Sequence, residues 1–361
     1  MGYERSSILE MEGYSSGEQP TDNQIIKLNT NENPYPPCPD IASTLANIPL
    51  ESLRNYPNPT ADKLRDQVAS MHNLKRDNVL ITHGGDEALR LSFTTFLEPG
   101  NVFGTTDPTY SLYPVLSQIN GSPVLSIPLD NHWNTPKNLG EQLNDAGVQL
   151  ACIVNPHAPS GQLTTKTEIT ALANKFNGVL LIDEAYVDFV DPNLKHDLVN
   201  LVNEADNVLI LRTFSKGYSL AGLRLGYLLG AKSILNPMIY KTRDSYNIGY
   251  IEQQLGLEAL RNRAYSENTW ALVRKSRIAL AGELEQRGLK VYPSHTNFLL
   301  VEITPTKMVS AKSIYVGLKQ RGILVRYFET ERLQNALRIT VGTPNQNERL
   351  LSSLEGLMGQ I

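Results

Sequence analysis

Lys216 stands in the stretch LRTFSKGYSLAGLR, residues 211–224. The apolar run NVLIL ahead of it reads as a short strand delivering Thr213, Phe214, Ser215 and Lys216 onto a loop, which closes through small residues on Gly222, Leu223 and Arg224. Apolar surroundings disfavour the ammonium form, so a neutral amine exists near pH 7. Such an amine forms Schiff bases with carbonyl substrates and with pyridoxal phosphate, PLP. The hydroxyls of Thr213 and Ser215 and the guanidinium of Arg224 together suit a phosphate. An SK dipeptide alone reads as a surface lysine before a loop, so the weight lies with the other polar residues of the chain.

A second phosphate-suited feature lies at residues 83–87, HGGDE, between the apolar strand NVLIT and a helix with Leu89, Phe93 and Leu97 on one face. Strand, glycine turn and helix N-terminus present free N–H groups and a positive dipole end, although two adjacent glycines by themselves also read as a tight turn. Asp183 ends the apolar run GVLLID, where a carboxylate is costly unless it meets a cation. The protonated ring nitrogen of PLP is one such cation, and Tyr186 could donate to the ring's phenolic oxygen. Capping of a following helix and metal binding are the other readings of the DE pair; six scattered histidines make metal the weaker one. Tyr110, just beyond a strand end in DPTYSLYP, could stack on a planar ring or simply cap the core. Tyr56 lies in the Pro-bounded turn NYPNPT, and Arg326 and Arg338 lie on two short strands where they could clamp a carboxylate or phosphate.

The elements that must position these residues alternate strand and helix, with strands apolar on both faces. An α/β fold follows, with a large domain whose mostly parallel sheet is covered by helices, plus a smaller α+β domain. The expected division is an arm and part of the small domain over 1–45, a large domain over 46–255 and a small domain over 256–361. Thr60 reads as the N-cap of a helix carrying Leu64, Val68 and Met71. A helix over 266–287 carries Trp270, Val273, Leu280 and Leu284. The loop KLNTNENPYPPCP, residues 27–39, either caps the fold or covers a site. With 33 Lys+Arg against 37 Asp+Glu, net charge −4, the composition argues against nucleic acid as a partner. Two cysteines, Cys38 and Cys152, make no disulfide framework or zinc set. Charged residues at 4, 5, 10 and 12, and no apolar run of membrane-spanning length, point to a cytoplasmic protein without a membrane partner.

In family order the chain carries LNTNENPYPP, NYPNPT, HGGDEAL, DPTYSLY, NPHAPSG, IDEAY, LRTFSKGYSLAGLRLGY and LRITVGT. Together these resemble the fold-type I, PLP-dependent aminotransferases, most closely the histidinol-phosphate aminotransferase branch. The resemblance implies that Lys216 bonds PLP covalently, Asp183 pairs with the pyridinium, Tyr186 holds the phenolic oxygen and Tyr110 stacks on the ring. It also implies that the Gly85 and Asp86 amides, Thr213, Ser215 and Arg224 hold the phosphate, and that Tyr56 reaches the neighbouring subunit's cofactor in a homodimer. The implied reaction passes an amino group from L-histidinol phosphate to 2-oxoglutarate, giving imidazole-acetol phosphate and L-glutamate in histidine biosynthesis. Arg338, helped by Arg326, would grip the substrate anion, with Asn33, Tyr56 and Asn247 as further substrate contacts. The family turn NPTG is APSG here, so Ala158 stands where an asparagine touches the phenolic oxygen, and Asn155 is expected to take over. Ser245 replaces the family's proline before Tyr246 and Asn247. Aromatic or other amino-acid aminotransferases, a threonine-phosphate decarboxylase-like PLP lyase and a PLP-binding regulatory module are the alternatives.

Overall fold

The computed structural model describes residues 3–20, 22, 24–306 and 309–359. After the arm, β1 (Ile26–Lys27) leads into loop and helix. The main sheet is then laid down by β2 (Val79–Thr82), β3 (Phe103–Asp107), β4 (Val124–Pro128), β5 (Leu150–Val154), β6 (Val179–Asp183), β7 (Val208–Thr213) and β8 (Gly226–Gly230). Its seven strands run in the order β2-β8-β7-β6-β5-β3-β4. From β7 to β4 every neighbouring pair is parallel, while β8 runs antiparallel to both β2 and β7. Every residue of β5 is buried, as are all but the first of β6, because helices cover both faces and leave no side of the pleat for polar residues. The parallel strands place the ends of β3, β5, β6 and β7 on one edge, where the loops carrying Tyr110, Ala158, Asp183 and Lys216 meet.

The chain continues through β9 (Lys290–Val291), β10 (Phe298–Glu302), β11 (Ile323–Leu324), β12 (Arg326–Tyr327) and β13 (Ala336–Thr340). A second sheet, β12-β13-β10-β9, is antiparallel throughout, and β1 pairs in parallel with β11. The long helix Arg263–Gln286 links two cores: Trp270 and Val273 pack with the large sheet, and Leu280 and Leu284 with the second. Its amphipathic stripe was legible at the right positions, although the helix begins three residues earlier than the spacing predicts.

One expected cap is different. The helix Asp62–Met71 starts after Ala61, at φ 52°, and Thr60 supplies no cap. The side chain of Asn58 holds the turn instead, its oxygen accepting from the N–H groups of Thr60 and Asp62 at 3.1 Å each. Thr60 donates its hydroxyl to the Asp62 carboxylate at 2.7 Å. The asparagine reaches two free N–H groups at once, which a hydroxyl next to the helix cannot.

Candidate active site

A cavity of about 440 Å³ opens where the loops of the large sheet face the second sheet. Lys216, Asp183 and Tyr186 all line it. The Lys216 amine donates to the carbonyl oxygen of Thr30 at 2.9 Å and lies 5.9 Å from the centre of the Tyr186 ring. Burial, seconded by the Arg338 guanidinium, pulls its pKa down to about 8, with Glu32 opposing part of the shift. A usable fraction of neutral amine therefore exists near neutral pH. Asp183 accepts from the Tyr113 hydroxyl at 2.8 Å and from the Ala185 N–H at 3.0 Å. Burial pushes its carboxyl up to about 6 against the pull of those donors. A buried carboxylate on a cavity wall, hydrogen-bonded but lacking a salt bridge among the described residues, fits a cationic ring nitrogen.

The phosphate-suited groups converge at one end of this cavity. The helix Gly84–Phe96 begins at the wall, its first N–H groups lacking acceptors within the helix. Gly84 adopts φ +70°, and a Cβ there would lie 2.7 Å from the Arg224 guanidinium. The positive φ favours glycine here, and a side chain at this position would push the Arg224 guanidinium aside. Arg224 pairs with Asp86 at 3.1 Å and donates to the Ser215 hydroxyl at 3.3 Å, while Thr213 accepts from the Ser215 N–H at 3.0 Å. Gly85, Asp86, Thr213, Ser215 and Arg224 all line the cavity, as does Tyr110, half-buried beside Asp86. Tyr14 of the arm meets Tyr110 edge-on, ring centres 5.8 Å apart.

At the opposite wall Arg326 and Arg338 sit directly across from each other on β12 and β13. Both flank Phe328, at 5.5 and 5.6 Å from its ring centre, and Arg338 also lies over Phe298 at 5.3 Å. Arg338 donates once, to the Asn29 carbonyl at 3.0 Å, and its buried Nε has no partner. A guanidinium held against aromatic faces with a donor to spare suits an anion. The lysine, the unpaired carboxylate, the phosphate-suited end and this spare donor together fit PLP and an anionic substrate.

Three expected contacts, Asn155, Asn33 and Asn247, lie outside the chain's own cavity. Asn155 is fully buried, but its amide is taken up by the backbone of Thr164, accepting at 2.9 Å and donating at 3.0 Å, and it does not line the cavity. It therefore does not substitute for Ala158, which does line the cavity. Asn33 ties the loop to Gly217 and Thr269, at 3.2 and 3.1 Å, behind the lysine. Asn247 donates to the Ile81 carbonyl and to Glu87, at 3.0 and 2.9 Å. Neither lines the cavity of its own chain. Tyr56 is 80% exposed and stacks on Tyr246 at 4.3 Å, away from the chain's own cavity.

Sequence reasoning missed the triplet Asn29-Thr30-Asn31, which touches Arg338, Lys216 and Tyr186 in turn. It also missed Tyr113, the donor to Asp183. The only signal for the triplet was an asparagine-rich loop of irregular backbone. Tyr113 stands three residues after Tyr110 in DPTYSLYP, with no feature of its own there to set it apart.

The chain matches the family model described as aminotransferase class I and II over residues 23–354. It is 39% identical over 357 residues to histidinol-phosphate aminotransferase 1 of Trichormus variabilis, covering 99% of each protein. To histidinol-phosphate aminotransferase 1 of Oceanobacillus iheyensis it is 38% identical over 356 residues, covering 98% of this chain and 97% of that one. Among solved structures, histidinol-phosphate aminotransferase from Sinorhizobium meliloti in complex with pyridoxal-5'-phosphate superposes with a TM-score of 0.86 at 22% identity. That match covers 93% of this chain and 91% of the other. L-threonine-O-3-phosphate decarboxylase from Porphyromonas gingivalis superposes at 0.79 with 20% identity, over 93% of this chain and all of that one. Likeness at these last two identities speaks to the fold alone.

Proposed function

The chain belongs to the class I and II aminotransferases, and from that membership we propose that it transfers the amino group of L-histidinol phosphate to 2-oxoglutarate. The products are imidazole-acetol phosphate and L-glutamate. It is a PLP-dependent enzyme. The observation that carries the substrate proposal is Arg338, its buried Nε without a partner, cross-strand from Arg326 and lining the same cavity as Lys216. Full-length relatives bearing the histidinol-phosphate aminotransferase name support the same substrate.

When bound, PLP supplies an electron-withdrawing ring that accepts the electrons left on the substrate carbon. The chain's own residues do the remaining work. Lys216 Nζ, on the cavity wall, would serve as the base that takes up the proton leaving the substrate carbon and, as the ammonium so formed, as the acid that later gives that proton up. Asp183 keeps a negative charge against the ring nitrogen so that the nitrogen stays protonated. Tyr186 donates toward the ring's phenolic oxygen, and Tyr110 covers the ring face. Gly85, Asp86, Thr213, Ser215 and Arg224 hold the phosphate. Arg338 and Arg326 grip the substrate phosphate in one half-reaction and a carboxylate in the other, since a planar guanidinium suits either anion.

The same reading takes 46–255 as the cofactor-binding domain, with 256–361 and part of 1–45 as the small one. It places the protein in the cytoplasm as a homodimer in which Tyr56 serves the neighbouring site. The exposed Tyr56 and Tyr246, stacked on each other, and the exposed Leu50 and Leu53 a few residues before Tyr56 support the pairing. No helix among the described residues is long and apolar enough to cross a membrane.

The test is optical. Protein loaded with PLP should lose its yellow absorbance on adding histidinol phosphate and recover it with 2-oxoglutarate. Yellow protein indifferent to histidinol phosphate would move the substrate to another amine. Release of CO₂ without amino transfer would make the chain a lyase.

A further inference from the structure

Asn31 is buried to 1% exposure on the cavity wall and holds φ +56°. Its side-chain nitrogen donates to the Tyr186 hydroxyl oxygen at 2.9 Å. The orientation of that amide is decided by Thr340 on β13. The Thr340 hydroxyl accepts from the Asn31 backbone N–H at 3.0 Å and donates to the Asn31 side-chain oxygen at 3.1 Å, which leaves the side-chain nitrogen for the phenol. A flipped amide would give up the hydrogen bond donated by Thr340 and turn the phenol's proton to Asn31, away from the cavity. The Asn31 carbonyl is fixed as well, accepting from Asn297 at 2.9 Å. Four polar groups from three distant stretches thus converge to present one N–H to the phenol.

The Tyr186 oxygen therefore receives a hydrogen bond from behind, while its own O–H has no acceptor among the described residues. A hydroxyl that accepts one hydrogen bond donates a stronger one, because each bond polarises the next. We propose that Asn31 is a positioning residue for the reaction: locked by Thr340, it holds the Tyr186 phenol with its proton turned to the cavity and strengthens that proton as a donor to the phenolic oxygen of the cofactor ring. The inference rests on the PLP-dependent reading above. It also ties two ends of the site together, because Thr340 and the anion-facing Arg338 lie two residues apart on the same strand.

A donor to an oxygen anion favours the deprotonated form, so losing it moves the associated titration toward alkaline pH. Asn31→Gly removes the amide and suits the left-handed backbone, and Thr340→Val removes the lock with little change in size. The readout is the pH midpoint of the visible absorbance of the cofactor-loaded protein. Both variants should move it alkaline by about half a unit or more, in the direction given by Tyr186→Phe. Adding Asn31→Gly to Tyr186→Phe should move it no further, because the amide acts through the phenol. A midpoint unchanged in Asn31→Gly and Thr340→Val while Tyr186→Phe shifts it would overturn the proposal and leave the PLP reading standing. Additive shifts in the double variant would overturn it too. Unsubstituted protein that takes up PLP without any visible, titrating band would instead overturn the underlying reading.

Discussion

Lys216 is held in a setting that costs its charged form, and the cost has a sign in pH. Its folded value, about 8, lies below the ordinary 10.5, so the unfolded chain binds more protons between the two. Stability of the cofactor-free protein should therefore rise as pH climbs from about 8 toward 10.5. Chemical denaturation across that window should show the rise, and Lys216→Met should remove it. Lys216→Ala should abolish turnover while leaving PLP to bind through its phosphate, which dialysis followed by cofactor assay would check. Asp183→Asn should retain cofactor and lower kcat on the order of 100-fold or more, because a neutral amide cannot keep the ring nitrogen charged. Unchanged turnover in that variant would remove Asp183 from its role. Neither residue is conspicuous by type alone: the lysine after one apolar strand and the carboxylate ending another become readable because phosphate-suited groups lie along the same chain.

Elements carry the anion sites. The helix Gly84–Phe96 works because its first turn is open and because Gly84 leaves room for Arg224. Gly84→Ala should cost about 1–2 kcal/mol for the positive φ alone and displace the guanidinium, loosening PLP. Thermal melts with and without cofactor would separate the two effects, and a variant with unaltered PLP affinity would show that Arg224 does not depend on this packing. Pairing of β12 with β13 brings Arg326 opposite Arg338. Arg338→Lys gives up the planar fork, so KM for histidinol phosphate should rise roughly 10- to 100-fold with a smaller loss for histidinol lacking the phosphate. Equal losses for both compounds would place the arginine away from the phosphate. That these arginines lie on adjacent strands could be anticipated from two short apolar stretches; their register could not, since pairing partners are set by the whole sheet.

At the scale of the whole molecule, a long helix joins the two cores and the segment 28–31 runs between them, its Leu28 carbonyl accepting from Thr340 at 3.0 Å. Exposed Tyr56 cannot serve its own chain's cavity, so mixing Lys216→Ala with Tyr56→Ala subunits should restore activity that each lacks or has in reduced measure. Hybrids then carry one complete site, and a mixture no more active than its parts would count against a shared site. The sequence by itself determined the α/β class, the order of strands and helices, and the residue types that gather at the strand ends, because these follow from local periodicity and from the cost of burying charge. Ordered motifs pointed to the family for the same local reason. Only the tertiary structure decided which asparagines face the cavity. An asparagine is equally suited to tying loops and to touching a ligand, and its role depends on which distant backbone reaches it first. Thus Asn155, Asn33 and Asn247 are claimed by Thr164, Gly217 and Ile81, while Asn31, brought against Tyr186 from 155 residues away, joins the site.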